Sequence, residues 1–271
     1  MSETVLTIDA AELVLGGRRL WSGLELSLAR GEFVAVLGAN GSGKTSLLRA
    51  ILGQHELAAG SIELLGDPVH HGDRRIGYIP QQRLADEGSA LRGRDLVGLG
   101  IDGHRYGVAL PTRARRARID AVLEDVGATH LARVPVSRLS GGEQQRLRVG
   151  QALAGMPDLL LCDEPLLSLD LRQQRVVSDL IDRHRRERGF GVLFVTHDVN
   201  PILGAVDRVL YLAGGGFRIG TPEEVLRSDV LSELYGAPID VIRSGERVVI
   251  VGAPDQSHAH EHEHDHAGDL P

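Results

Sequence analysis

The chain has 271 residues, 42 % of them hydrophobic and 25 % charged, with a net charge of −7 and one cysteine, Cys162. A single cysteine excludes an intrachain disulfide framework, no apolar run approaches the roughly 18 residues of a membrane span, and Met1-Ser2-Glu3-Thr4 lacks the basic and apolar start of a secretion signal. The charge is concentrated at the end: residues 253–271 hold Asp255, Glu261, Glu263, Asp265 and Asp269 and no Lys or Arg, so the body is nearly neutral and a broad nucleic-acid footprint is disfavoured.

These features predict a cytosolic protein with one α/β domain and a smaller subdomain, which reaches a membrane only through a partner. Short strands are predicted over residues 5–8, 24–28 and 33–37, with turns at Gly16-Gly17 and Arg30-Gly31. The third strand enters Gly38-Ala39-Asn40-Gly41-Ser42-Gly43-Lys44-Thr45, a full match to G-x-x-x-x-G-K-[ST], and a helix over 46–52 follows it up to Gly53. Of the chain's 30 Lys and Arg residues, only Lys44 is a lysine. A compact ammonium on a flexible stem reaches between β- and γ-phosphates under a tight loop; a wider guanidinium fork does not. Gly38, Gly41 and Gly43 let backbone N–H groups face an anion, and the helix adds its positive end. Thr45 offers a hydroxyl to Mg²⁺. The loop therefore points to nucleoside triphosphate chemistry.

Residues 57–80 return to strand and turn character, ending in Arg75-Ile76-Gly77-Tyr78-Ile79-Pro80. From about 86 to 155 the chain is mainly helical, with helices over 113–126, closed by Gly127, and 143–154, closed by Gly155. Arg113, Arg115, Arg116 and Arg118 read as a solvated helix face. Residues 159–161 and 192–196 are apolar without alternation, the mark of buried parallel strands, and a long helix over 172–188 joins them. A strand pair over 206–212 and 217–220, a helix over 222–234 and a hairpin over 241–251 around Gly245 complete the chain. The order is a nucleotide core, a helical insertion and the core resumed.

The strand at 159–161 runs into Asp163 and Glu164. One carboxylate can hold Mg²⁺; the other can orient and deprotonate an attacking water. Val195-Thr196-His197-Asp198 ends the next predicted strand, where His197 can face a γ-phosphate. Glu164, His197 and Lys44 are thus the candidate catalytic residues. Leu139-Ser140-Gly141-Gly142-Glu143 opens a helix with Ser140 as N-cap and two glycines that leave N–H groups accessible, a second anion site. One subunit has little use for two γ-phosphate sites. A head-to-tail dimer, with each ATP between one subunit's loop and the other's helix start, uses both.

On these segments the chain resembles the nucleotide-binding subunits of ATP-binding cassette (ABC) transporters over roughly residues 5–250. The resemblance implies an α/β fold: a P-loop NTPase (RecA-like) core with an antiparallel β subdomain and a helical insertion. Its parts are residues 5–85, the first part of the core with the β subdomain; 86–155, the helical subdomain; 156–252, the core resumed with a C-terminal hairpin; and 253–271, a disordered His- and acid-rich tail. It implies that Gly38, Ala39, Asn40, Gly41, Ser42, Gly43, Lys44, Thr45 and Ser46 cradle ATP, and that Thr45, Asp163 and Gln81 attend Mg²⁺. Gln81 would also couple to the membrane subunit. Glu164 would be the catalytic base and His197 the switch histidine. Ser140, Gly141 and Gly142 would serve the partner's ATP, and Asp170 would belong to the D-loop. The implied partners are a second copy in an ATP-sandwich dimer, a multi-span permease and, indirectly, a solute-binding protein, with no nucleic acid; the implied place is the inner face of the cell membrane. Three departures stand out. Glu143 replaces the commoner glutamine, Leu167-Ser168 places an apolar residue before Leu169-Asp170, and Leu15 stands near where the adenine-stacking aromatic should lie. Leucine offers no π-stacking, and Trp21 reads as core rather than as a substitute.

The segment His258-Ala259-His260-Glu261-His262-Glu263-His264-Asp265-His266 holds five of the chain's 12 histidines. Imidazole beside carboxylate suits Zn²⁺ or Ni²⁺; a solvated tail is the plainer reading. Gly220-Thr221-Pro222-Glu223-Glu224-Val225-Leu226 and Leu234-Tyr235-Gly236 resemble ATPases of zinc/manganese importers. The expectation is an importer ATPase for a divalent transition metal. The alternatives are import of a siderophore, haem or another small solute and, in another class, a soluble ABC ATPase without permease. The short insertion, without a long coiled coil or zinc-finger cysteines, disfavours repair-type ATPases. Removing residues 255–271 is expected to leave basal ATP hydrolysis intact and to remove most Zn²⁺ binding. In the full chain that binding should weaken below about pH 6, because imidazoles with pKa near 6.5 must lose protons to ligate. Calorimetry with Zn²⁺ on both chains checks this, and equal binding refutes it.

Overall fold

The structure, a computed structural model, describes residues 3–81, 91–103, 112–245 and 247–252. The histidines at 258, 260, 262, 264 and 266 lie outside the described residues, so the tail expectation is not addressed by the fold.

The chain opens with two strands longer than predicted, β1 (Thr4–Leu15) and β2 (Arg18–Ala29), paired antiparallel. Gly16 and Gly17 both have positive φ, 57° and 77°, as a two-residue hairpin turn with matching twist requires. Sequence reading recovered only the apolar stretches because outward residues such as Asp9 and Arg19 interrupt them. β3 (Phe33–Gly38) leads through the phosphate loop to α1 (Lys44–Ile51), which starts at Lys44 rather than 46. β4 (Ala59–Leu64) and β5 (Asp67–Pro68) complete a four-stranded sheet of order β2-β1-β4-β5, and β6 (Ile76–Ile79) returns to the core.

Among the described residues, three α-helices follow: α2 (Gly93–Asp102), α3 (Arg113–Asp125) and α4 (Gly141–Ala154). α4 begins two residues before the predicted 143, because Ser140 takes the N-cap and its side chain accepts from Glu143 N. β7 (Leu159–Asp163), α5 (Leu171–Arg188), β8 (Gly191–Val195), β9 (Arg208–Ala213) and β10 (Gly216–Gly220) complete the second sheet, of order β10-β9-β3-β8-β7-β6. Its strands are parallel except β10. The predicted helix over 222–234 is two helices, α6 (Pro222–Val225) and α7 (Ser228–Tyr235). A Thr221–Glu224 capping box closes the single turn of α6, and Arg227 is extended at the break. The Ser228 hydroxyl accepts from Val241 N at 2.9 Å, which anchors the start of α7. β11 (Asp240–Ser244) and β12 (Arg247–Val251) form the final hairpin.

β3 divides two apolar cores by its period of two. Phe33, Ala35 and Leu37 join the helices; Val34 and Val36 join α1 and the β1–β2 layer. Among the described residues no helix is long and apolar enough to cross a membrane. Trp21 is 0 % exposed in the second core, which supports its reading as a core residue. Trp21→Ala is expected to cost about 3–5 kcal/mol, the range for truncating a buried aromatic. Urea unfolding followed by far-ultraviolet circular dichroism measures it, since Trp21 is the only tryptophan and its fluorescence disappears with it.

Candidate functional site

The phosphate loop is wedged between β9 and Trp21. At Gly38 φ is +140° and an added Cβ would lie 2.1 Å from the Leu212 carbonyl oxygen, so no side chain fits. At Gly43 φ is +96° and a Cβ would lie 3.0 Å from Trp21 Nε1. Lys44 is buried and its ammonium donates to the carbonyls of Gly38 at 2.7 Å and Ala39 at 3.0 Å. Burial lowers its pKa, against the raising pull of Glu164 and Asp163. The ammonium is thus folded back over its own loop, close to two carboxylates.

Those carboxylates end β7, which is buried along its whole length. Asp163 is 2 % exposed. Thr45 Oγ1 donates to its Oδ1 at 3.0 Å and the Tyr78 hydroxyl donates to its Oδ2 at 3.2 Å. Burial raises the Asp163 pKa, and these two hydrogen bonds oppose the rise. Burial also pushes the Tyr78 hydroxyl up to about 12. A buried carboxylate with a hydroxyl oxygen beside it, and no arginine or lysine ion pair among the described residues, fits a hard, oxygen-preferring cation such as Mg²⁺.

Glu164 is buried and has φ +48°, unusual for a residue with a Cβ. Its backbone N–H donates to Val195 O at 3.0 Å, pinning the end of β7 to β8. Its Oε1 lies 2.5 Å from His197 Nε2, and its Oε2 accepts from Gln81 Nε2 at 3.3 Å. His197 follows β8 in a turn that Thr196 closes on Asp198, Oγ1 to O at 2.9 Å. Lys44, Thr45, Gln81, Asp163, Glu164 and His197 therefore meet at one edge of the sheet. They can bind a charged oxyanion and hold a base beside it.

Ser140, Gly141 and Gly142 form a second group. The Ser140 hydroxyl donates to Glu143 Oε2 at 2.8 Å, and this bond, helped by the Ser140 N–H, holds the Glu143 pKa low. A Cβ at Gly142 would lie 2.4 Å from Gln173 Oε1, and one at Gly141 would lie 3.5 Å from Leu169. Asp170 N-caps α5, accepting from Gln173 N at 2.8 Å. This group packs on itself. No hydrogen bond or ion pair among the described residues links Ser140, Gly141 or Gly142 to the phosphate loop.

Sequence reasoning missed three residues near the site. Tyr78 marked the approach to Gln81 but its contact with Asp163 was not foreseen. Arg148, buried on α4, donates to Pro80 O at 3.2 Å just before Gln81. Asn200 donates to Val248 O and accepts from Val248 N, at 2.9 and 2.8 Å, tying the His197 loop to β12. No local pattern signals these pairings.

The family model described as ABC transporter matches residues 21–167. The zinc import ATP-binding protein ZnuC of Alcanivorax borkumensis is 34 % identical over 236 residues, 87 % of this chain and 85 % of that protein. That of Roseobacter denitrificans is 35 % identical over 233 residues, 86 % of this chain and 85 % of that one. The chain belongs to the ABC transporter family. Among solved structures, a chain described as from a metal-chelate type ABC transporter in an inward-facing conformation has a TM-score of 0.77 at 28 % identity, covering 91 % of this chain and 96 % of that one. The P-loop NTPase fold and the ATP-binding, ATP-hydrolysing character expected from sequence are those of the family.

Tyr78→Phe removes a donor that favours the charged Asp163, so this carboxyl should protonate at higher pH. ATP hydrolysis is expected to stay near normal at alkaline pH. Toward pH 5 it should fall by about fivefold more than in the unaltered protein, the scale of one hydrogen bond near 1 kcal/mol. Rate profiles against pH for the two proteins check this.

Proposed function

We propose that the chain is the ATP-hydrolysing subunit of an importer for zinc or a similar divalent transition metal. The observation that carries the ATPase part is the contact set at one sheet edge: Thr45 on Asp163, and His197 and Gln81 on the two oxygens of Glu164. The backbone of Gly38, Ala39, Asn40, Gly41, Ser42 and Gly43 and the ammonium of Lys44 bind the phosphates, with Ser46 in the first turn of the helix. Thr45 and Asp163, with Gln81 near, hold Mg²⁺, which when bound neutralises charge on the phosphates. Glu164 accepts the proton of the attacking water. His197 and Gln81 orient its carboxylate and face the γ-phosphate side.

Two copies work head to tail. Ser140, Gly141 and Gly142 of one copy meet the phosphates held by the other, and Asp170 lies at the seam. Their separation from the chain's own loop supports this reading. So does the exposure of Leu167 and Leu171, at 52 % and 66 %, beside Asp170. A multi-span permease supplies the membrane path, placing the chain at the inner face of the membrane and, indirectly, in the service of a solute-binding protein. In this reading the chain would divide into a core over 5–85 and 156–252 and a helical subdomain over 86–155. The relatives named for zinc import support the metal as cargo. The histidine tail, including His258, His260, His262, His264 and His266, would collect or sense the same ion. A second reading is import of a chelated metal, which the metal-chelate type structure favours. Reconstituted with its permease, the complex separates them: free Zn²⁺ with its solute-binding protein stimulates hydrolysis under the first reading, and only a chelate does so under the second.

Glu164→Gln is expected to bind ATP yet hydrolyse it at least about 100-fold more slowly, the scale of losing a general base. It should accumulate an ATP-bound dimer on size exclusion, because the phosphate contacts remain. Near-normal turnover would remove Glu164 from the role of base.

A further inference from the structure

Position 15 carries Leu15 where the family resemblance expects a ring. Trp21 cannot supply that ring, because it is fully buried behind Gly43. A cleft of about 370 Å³ lies beside the phosphate loop, lined by Asn40 and Gly41, by Arg18 and Leu20 of the first hairpin, by Gly215 of the β9–β10 turn and by Tyr235 at the end of α7. Arg18 is the cross-strand partner of Leu15, so the two side chains stand on the same face of the ribbon. Neighbouring Arg19 is engaged by Glu12 at 2.9 Å. Arg18 is exposed, and no hydrogen bond or ion pair among the described residues occupies its guanidinium. Tyr235 is held in place: its hydroxyl lies 3.2 Å from that of buried Tyr211, and the two rings meet edge to face at 6.1 Å.

A planar cation without a partner, one wall of a cleft that adjoins a triphosphate loop, suits an electron-rich heterocycle. A guanidinium stacks on such a ring through its face. Such stacking uses the face that every base presents and so does not depend on which base is bound. We propose that Arg18 holds the nucleobase in place of the missing ring at position 15, and that the site therefore takes guanosine as well as adenosine triphosphate. The inference rests on reading residues 38–46 as the triphosphate cradle.

The test is calorimetric binding of ATP, GTP and inorganic tripolyphosphate to the full chain and its variants. In the unaltered chain ATP and GTP should bind within about threefold of each other, since stacking is tolerant of base identity. Arg18→Ala should weaken both nucleotides by about two- to tenfold, the range of an exposed cation–π contact, and leave tripolyphosphate unchanged. Arg18→Lys keeps the charge but loses the plane, and should bind nucleotides as weakly as Arg18→Ala. Leu15→Tyr placed on Arg18→Ala should restore the loss. The proposal is overturned by an equal loss for tripolyphosphate, by full recovery in Arg18→Lys, by no effect of Arg18→Ala, or by GTP binding more than about tenfold weaker than ATP. Lys44→Ala tests the underlying reading separately. It should weaken all three probes, and if it weakens none the cradle assignment itself fails.

Discussion

Parallel pairing of β3, β8 and β7 is the constraint from which the rest of the site follows. Strands that run the same way end at the same edge, so the loop after β3, the carboxylates of β7 and the histidine after β8 arrive together. Open α/β sheets place their ligands at this carboxyl edge. The register is tight: Val36 pairs with Val195, and Asp163 pairs with Val195 from the other side. A slip of one residue would turn Asp163 to the other face of the sheet, away from Thr45. Burial of all three strands on both faces makes such a slip expensive, since each strand feeds two apolar cores.

The same sheet shapes the phosphate loop. Gly38 sits where the β9 backbone approaches too closely for any side chain, and Gly43 sits against Trp21. The loop's curl is imposed from both sides rather than chosen by glycine alone. Glycine permits the positive φ values; β9 and the Trp21 ring select them. Lys44 then emerges at the start of α1 with its ammonium satisfied by loop carbonyls, which offsets part of the burial that lowers its pKa. A phosphate entering the loop would exchange those carbonyls for charged oxygens, a stronger partner for an ammonium.

Around the site, several contacts bind distant segments into it. Arg148 joins the helix of Ser140 to the residue before Gln81, and Gln81 reaches Glu164. Asn200 joins the His197 loop to the last strand. The guanidinium of Arg148 is buried, among the described residues its one hydrogen bond is to the Pro80 carbonyl, and its pKa is lowered by that burial. Such a group is costly unless its surroundings are fixed, so it ties the helical insertion to the core at one place. The capping box between Ser140 and Glu143 has a comparable effect on a smaller scale, holding the serine hydroxyl at the helix start where it stands exposed.

The chemistry of the site is legible in the order of the residues alone. Gly38 through Thr45, Asp163-Glu164, His197 and Ser140-Gly141-Gly142 are each short segments whose residue types and flanks suffice to name a phosphate loop, a pair of carboxylates, a polar strand end and a capped helix start. They are legible because their meaning is local. Which of them touch is settled by the folded chain. Thr45 and Asp163 are 118 residues apart and Gln81 and Glu164 are 83 apart, and no periodicity carries that information. The break between α6 and α7 follows from Ser228 engaging Val241, and the burial of Trp21 follows from the β1–β2 layer folding under the loop. Leu15 and Arg18 are close in sequence, yet their significance depends on the cleft that the end of β9, the β9–β10 turn and Tyr235 of α7 close beside them. Side-chain chemistry is written residue by residue, whereas neighbourhood is set by strand register and by the packing of two cores on one sheet.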